Sequence, residues 1–156
     1  MKSLEEYNRK RDFSKTSEPS GEHTEETVDL PEGATGRFVV QEHHARSLHW
    51  DLRLEERGVL KSWAVPKGVP EHKAQKRLAV ETEDHPLGYI DFEGTIPEGE
   101  YGAGRVLVWD KGYYSAVEKT NNKYYVILMG ERLRGAYMII RTKQNQWLIW
   151  KREDAT

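Results

Sequence analysis

Between residues 48 and 54 the chain alternates strictly: Leu48, Trp50, Leu52 and Leu54 are apolar, and His49, Asp51 and Arg53 sit between them. A period of two sends neighbouring side chains to opposite faces of a β-strand, so the segment predicts a strand with one buried face. Short apolar or alternating runs recur at 38–41, 59–65, 77–83, 88–93, 105–110, 123–129, 135–142 and 146–152. Turn formers divide them: Arg57-Gly58, Pro66-Lys67-Gly68, His85-Pro86, Pro97-Glu98-Gly99, Lys111-Gly112 and Gln144-Asn145. In the run that starts at Arg77, the alternation points Leu78 and Val80 to the core and Arg77, Glu81, Glu83 and His85 away from it. No stretch from 36 to 152 keeps a helical period, although 70–76 is compatible with one helical turn. Short strands at this spacing indicate an all-β barrel or sandwich.

Residues 1–35 have another texture. Met1 to Arg11 is compatible with a short helix, and Ser17, Pro19, Ser20 and Gly21 precede an acidic run. Apart from that helix the segment reads as an extended arm or linker. The expected organisation is an arm over 1–35 and a β domain over 36–156.

A chain of 156 residues suits one domain with one core. Its net charge of -2 does not suggest coating of nucleic acid by bulk charge. The charge is uneven, however. Residues 1–35 hold five Lys/Arg against nine Asp/Glu, and residues 104–152 hold ten against three. The C-terminal third thus offers either a solvated sheet face or a basic surface for a phosphate backbone. Cysteine is absent, which excludes disulfides and thiolate metal sites and points to a reducing compartment. No apolar run approaches the ~20 residues of a membrane span, and the polar N-terminus is no secretory signal. The expectation is a cytoplasmic protein without membrane contact.

The chemistry concentrates in the string from Gln41 to Leu54. His49, Asp51 and Arg53 share a strand face, and a hairpin with 38–41 would bring His43 beside His49. Two imidazoles and one carboxylate suit a borderline divalent metal, Mn²⁺ or Zn²⁺ rather than Ca²⁺. An arginine next to them favours an anionic substrate, and phosphate esters are the natural class. The alternative is a surface histidine with an Asp51–Arg53 pair. Further on, His85 ends a strand before Pro86, where it could bind a phosphate oxygen or protonate a leaving alkoxide, with Glu83 orienting it or Arg53. Lys67 lies in a fixed turn, free to contact phosphate or water. Pro97 to Gly104 lacks the Walker lysine and a following helix, so it reads as a structural loop. The Trp and Tyr residues of 109–150 read as packing rather than a base-stacking platform.

These strings, together with Leu60 to Gly68, Glu83 to Leu87 and Phe92 to Gly104, resemble the 3'-phosphoesterase module of DNA ligase D, here as a free-standing chain. The resemblance runs from Tyr7 to about Arg152. It implies a compact β-barrel of about eight strands, with short helical turns and an arm partly ordered over the site. It also implies a Mn²⁺-dependent enzyme of non-homologous end joining, with Co²⁺ and Zn²⁺ as alternative ions. Such enzymes remove a 3'-terminal ribonucleoside as a phosphodiesterase and then the remaining 3'-phosphate as a phosphomonoesterase. By this resemblance His43, His49 and Asp51 are metal ligands, and Arg53 and His85 are the phosphate-binding pair. Tyr89 matches a tyrosine close to the site, and Gln41, Lys67, Arg77 and Glu83 match supporting positions, Lys67 and Arg77 toward phosphate. Arg11, Asp12 and Glu18 match arm residues important for activity. The implied partner is nucleic acid with a recessed 3' end, with a ligase or polymerase acting in trans on a monomer. The nucleophile stays open between water on the metal and a histidine.

Two other classes remain in view. A non-catalytic end-binding module would use the basic C-terminal third and show salt-sensitive binding without turnover. A cupin-type metal oxygenase would place two histidines and a carboxylate on a redox metal beside a small-molecule cavity.

Overall fold

The computed structural model describes residues 4–21, 29–73 and 76–154. Most of the acidic run after Gly21 lies outside the described residues. Among the described residues one short α-helix, α1 (Glu5–Arg9), precedes nine strands. They are β1 (Gly36–His44), β2 (Leu48–Glu56), β3 (Val59–Val65), β4 (Arg77–Pro86), β5 (Gly94–Ile96), β6 (Gly104–Thr120), β7 (Lys123–Gly130), β8 (Arg134–Lys143) and β9 (Gln146–Asp154). The sheet runs β1-β2-β3-β4-β9-β8-β7-β6, and β6 pairs back onto β1. The result is a closed antiparallel barrel of eight strands with β5 added on the flank of β6. Among the described residues each barrel strand has a partner on both sides, although β4 and β9 pair only over Arg77–Val80. Among the described residues no helix is long and apolar enough to cross a membrane.

Alternation sorts two apolar clusters to the two sides of the barrel wall. Phe38, Val40, Leu52 and Leu54 join Trp63, Tyr137, Ile139, Trp147 and Ile149 in the main core. Trp63 and Trp147 meet edge to face at 5.4 Å in it. The intervening residues of β1 and β2 face outward. There Val39 packs with Tyr7 of α1 and with Leu87, Tyr89, Ile90 and Phe92. The arm and the segment after β4 therefore form an outer layer against one side of the barrel.

Four expectations for local structure need correction. Leu78 and Val80 do not face the core: Ala79 is fully buried, while Leu78 is 43% exposed. A bulge opposite Lys61 explains the rest, since Ser62 pairs with Thr82 but Leu60 pairs with His85. The added residue resets the alternation, so Thr82 and Glu83 both line one outer cavity. Residues 88–93 are not a strand. Leu87–Asp91 forms a 3-10 turn in which Leu87, Tyr89 and Ile90 are buried, close to the threefold period of that helix. Lys111-Gly112 is not a turn, because β6 continues through it to Thr120. A Cβ on Gly112 would stand 2.1 Å from the Met129 carbonyl, so the glycine permits close strand approach. Of the helical turn expected over 70–76, residues 71–73 form a bend, and Ala74 and Gln75 lie outside the described residues.

Candidate active site

The outward faces of β1 and β2 build the first part of the site. His43 and His49 are cross-strand partners, as are Gln41 and Asp51. One nitrogen of each ring and one Asp51 oxygen lie within 4.8 Å of one another. His43 Nε2 donates to the Gly102 carbonyl at 2.6 Å, leaving the Nδ1 lone pair toward Asp51 Oδ2 at 3.5 Å. His49 Nδ1 donates to the Ser47 carbonyl at 3.1 Å, leaving Nε2 toward the same oxygen at 3.2 Å. In the neutral tautomers two lone pairs and a carboxylate oxygen face each other, which is repulsive unless a proton on an imidazole or a metal ion joins them. Burial disfavours the charged Asp51, but Arg53, His43 and His49 outweigh it and hold its pKa well below the usual carboxylate range. Burial also opposes a charged His49, yet Asp51 and the Ser47 carbonyl lift its pKa above the ordinary imidazole value.

Arg53 follows Asp51 on the same face and is almost fully buried. Its Nε donates to Gln41 Oε1 at 2.7 Å, and Nη2 lies 3.5 Å from Asp51 Oδ2. Nη1 is buried and has no hydrogen-bond partner among the described residues. Its guanidinium carbon sits 4.8 Å from the Tyr89 ring centre. Gln41 in turn donates Nε2 to the carbonyls of Tyr89 and Phe92 at 2.8 and 3.0 Å, tying the 3-10 turn to the arginine.

Past the bulge, β4 brings Glu83 and His85 to the same place. His85 Nδ1 donates to the Glu83 carbonyl at 2.9 Å, so Nε2 carries the lone pair. Burial, then the positive charges of Arg53 and Arg11, push the His85 pKa well below the ordinary value and keep the ring neutral. Arg11 Nη2 approaches His85 Nε2 at 3.4 Å.

The arm closes the cavity. Arg11 binds Glu18 through Nε at 3.0 Å and Glu83 through Nη1 at 3.1 Å. The Tyr89 hydroxyl donates to Glu18 at 2.6 Å. Burial of the Glu83 carboxylate is outweighed by its own backbone N–H, Arg11 and Lys10, which hold its pKa below the usual value.

A cavity of about 310 Å³ is lined by His43, His49, Asp51, Arg53, His85, Tyr89, Glu83, Arg11 and Glu18, among others. Gln41 lies behind Arg53. Asp12 does not line the cavity. It accepts the Ser14 N–H at 3.0 Å and so shapes the turn after α1. Lys67 and Arg77 are also absent from the lining. Arg77 donates to the carbonyls of Lys67 and Gly68 at 3.0 and 2.8 Å, bracing that turn.

Tyr101 and Gly102 of the Pro97–Gly104 segment reach the cavity, a role the sequence reading of a structural loop missed. Gly102 (φ +76) holds His43 through its backbone, for which no side chain signals.

Three carboxylates (Glu18, Asp51 and Glu83) line the cavity against two guanidiniums (Arg11 and Arg53). That balance repels an anion. A divalent ion between His43, His49 and Asp51 would reverse it and give the lone pairs a partner, so the donor set fits a metal.

A family model described as DNA ligase D 3'-phosphoesterase domain matches residues 41–141. The multifunctional non-homologous end joining protein LigD of Mycolicibacterium smegmatis is 45% identical over 162 residues, which cover 97% of this chain and 21% of the relative. The protein of the same name from Pseudomonas aeruginosa is 49% identical over 166 residues, covering 98% of this chain and 19% of its own length. A third relative, the multifunctional non-homologous end joining DNA repair protein LigD of Mycobacterium tuberculosis, is 48% identical over 149 residues, 93% of this chain and 19% of its own. The chain thus spans about a fifth of the length of these relatives.

Proposed function

The chain belongs to the DNA ligase D 3'-phosphoesterase domain family, and on that premise we propose that it is a metal-dependent phosphoesterase that heals 3' ends of nucleic acid. The observation that carries this reading is the unpartnered, buried Arg53 Nη1 beside the His43–His49–Asp51 group. A buried donor without an acceptor costs free energy, and a bound phosphate oxygen would satisfy it. The reaction is removal of a 3'-terminal ribonucleoside as a phosphodiesterase, then of the 3'-phosphate as a phosphomonoesterase.

His43 Nδ1, His49 Nε2 and Asp51 would hold the ion, with Mn²⁺ the expected metal and Co²⁺ or Zn²⁺ as alternatives. The ion would supply Lewis-acid polarisation of a phosphate oxygen and offset its charge. Arg53 holds the phosphate, its plane fixed by Gln41. Neutral His85 is an acceptor in the resting site. Negative phosphate charge beside it would offset Arg53 and Arg11, letting it take up a proton for the leaving oxygen. Arg11, Glu18 and Glu83 keep Tyr89 and His85 in place. Asp12, Lys67 and Arg77 stand as more distant supports. The substrate is DNA with a recessed 3' end, with or without 3' ribonucleotides. The protein would work as a cytoplasmic monomer, with ligase or polymerase partners acting on the healed end.

The test uses an end-labelled primer–template with a terminal ribonucleoside, incubated with Mn²⁺. The expected sequence of products is a 3'-phosphate end followed by a 3'-hydroxyl end. Salt-sensitive binding with unchanged primer would favour the end-binding module instead.

A further inference from the structure

Beside the phosphate cavity lies a second groove, of about 680 Å³, within the range of small-ligand sites. The two concavities share Thr82, Glu83 and Tyr101, which form a sill between them. The groove opens where β4 leaves β9: their pairing ends at Val80 with Gln146, and Gln144 and Asn145 of the β8–β9 turn line the far wall.

Its four carboxyl groups (Glu6, Glu81, Glu83 and Asp84) outnumber its three cations (Lys10, Lys61 and Arg141), as carboxylates outnumber guanidiniums in the cavity. Each of its cations is in an ion pair with a carboxylate, and Arg141 Nε is a buried donor with no hydrogen-bond partner among the described residues. Lys61 lies 2.6 Å and Arg141 3.3 Å from Glu81. Lys10 lies 2.8 Å from Glu6 and 3.2 Å from Glu83. Asp84 adds a further carboxyl group. With its cations ion-paired and its carboxyl groups in excess, the groove disfavours the primer strand with its row of phosphates. It suits an uncharged, hydrogen-bonding group. The exposed amides of Gln144 and Asn145 offer both donors and acceptors, and Tyr101, 45% exposed, offers an aromatic wall.

Resting on the phosphoesterase reading above, we infer that this groove receives the terminal nucleoside of a 3' end while its phosphate occupies the Arg53–His85 cavity. The terminal nucleoside is the one part of such an end with no phosphate beyond it. The scissile bond then lies at the Tyr101–Glu83 sill. Water supplies the oxygen that bonds to phosphorus, the bond from phosphorus to the nucleoside 5'-oxygen breaks, and the nucleoside leaves with a proton on that oxygen.

The test compares kcat/KM on two primers: one ending in a ribonucleoside joined through the phosphate, the other ending in the 3'-phosphate itself. The second leaves the groove empty. Asn145→Trp places bulk in the groove from an exposed turn, outside the phosphate cavity. It should lower kcat/KM for the diester at least tenfold and leave phosphate removal within twofold. Tyr101→Ala, which does not touch the β8–β9 turn, should lower the ratio of diester to monoester turnover, and Tyr101→Phe should restore it. Thermal melts of each variant serve as the folding control. Equal losses on the two primers, or no loss on the diester for either folded variant, would overturn the inference. Wild-type protein inactive on both primers would instead overturn the phosphoesterase reading.

Discussion

Arg53 donates its Nε–H to Gln41 Oε1 at 2.7 Å, and Gln41 spends its own amide hydrogens on the Tyr89 and Phe92 carbonyls. The arginine plane is thereby anchored to the backbone of the outer layer, with Nη1 left unpartnered. An Arg53→Lys variant keeps the charge but loses the planar fork. Turnover on a 3'-phosphate primer should fall by about 100-fold or more with primer affinity changed only a few-fold, since a fork fitted to the transition state acts mainly on kcat. Equal turnover for Lys and Arg would show that charge alone matters at this position.

His43, His49 and Asp51 should act as one metal-binding unit. Titration calorimetry with Mn²⁺ should give one site per chain for wild-type protein and no saturable site for His49→Ala or Asp51→Ala. A His49→Ala protein with undiminished affinity would place the ion elsewhere.

The arm is held by Arg11, which binds both Glu18 and Glu83, and by Tyr7, which is fully buried. Among the described residues, none of the arm belongs to the main core. Deleting residues 1–20 should therefore keep the strand signal in circular dichroism and lower the melting temperature, because Leu87, Tyr89 and Ile90 lose cover. Activity should fall at least 100-fold, since His85 and Tyr89 lose the groups that hold them. A folded deletion protein with wild-type turnover would show that the arm serves packing alone.

The alternation of β2 is legible because Trp50, Leu52 and Leu54 pack on one closed core while His49, Asp51 and Arg53 line the outer cavity. The same reading failed in β4, where a bulge splits Arg77 and Glu81 from Glu83 and His85, and an extra residue leaves no mark in composition. The 3-10 turn passes for a strand in the sequence because Ile90 and Phe92 alternate with Asp91 and Glu93. At the site, His43 beside His49 followed from a hairpin drawn from sequence. The Gly102 and Ser47 carbonyls that set their tautomers did not, since a backbone acceptor has no residue-type signature. Composition likewise reads residues 4–21 as tail. Their packing rests on a few specific contacts, Tyr7 and Arg11 above all, that an average over charges hides.

Asp84 gives a pH-dependent check on the barrel. Burial, reinforced by Glu81, Glu56 and Glu83 against the pull of Lys61, pushes its pKa up to about 6. A raised carboxyl pKa means that the fold holds a proton which the unfolded chain releases between the ordinary Asp value and about 6, so stability falls as pH rises through that window. Asp84→Asn should raise stability at pH 8, on the order of 1 kcal/mol after solvent screening is discounted, and have little effect at pH 4. Denaturant melts at the two pH values measure this. Equal effects at both would assign the gain to packing, not ionisation.

Phosphate release from a 3'-phosphate primer–template is the most direct test of the central claim. With Mn²⁺ the wild-type protein should release one phosphate per primer end and leave a 3'-hydroxyl that a polymerase extends. Chelation of the metal should stop the reaction, and His49→Ala should not perform it. Undiminished release in chelator, or no release by folded, Mn²⁺-loaded wild-type protein, would contradict the assignment.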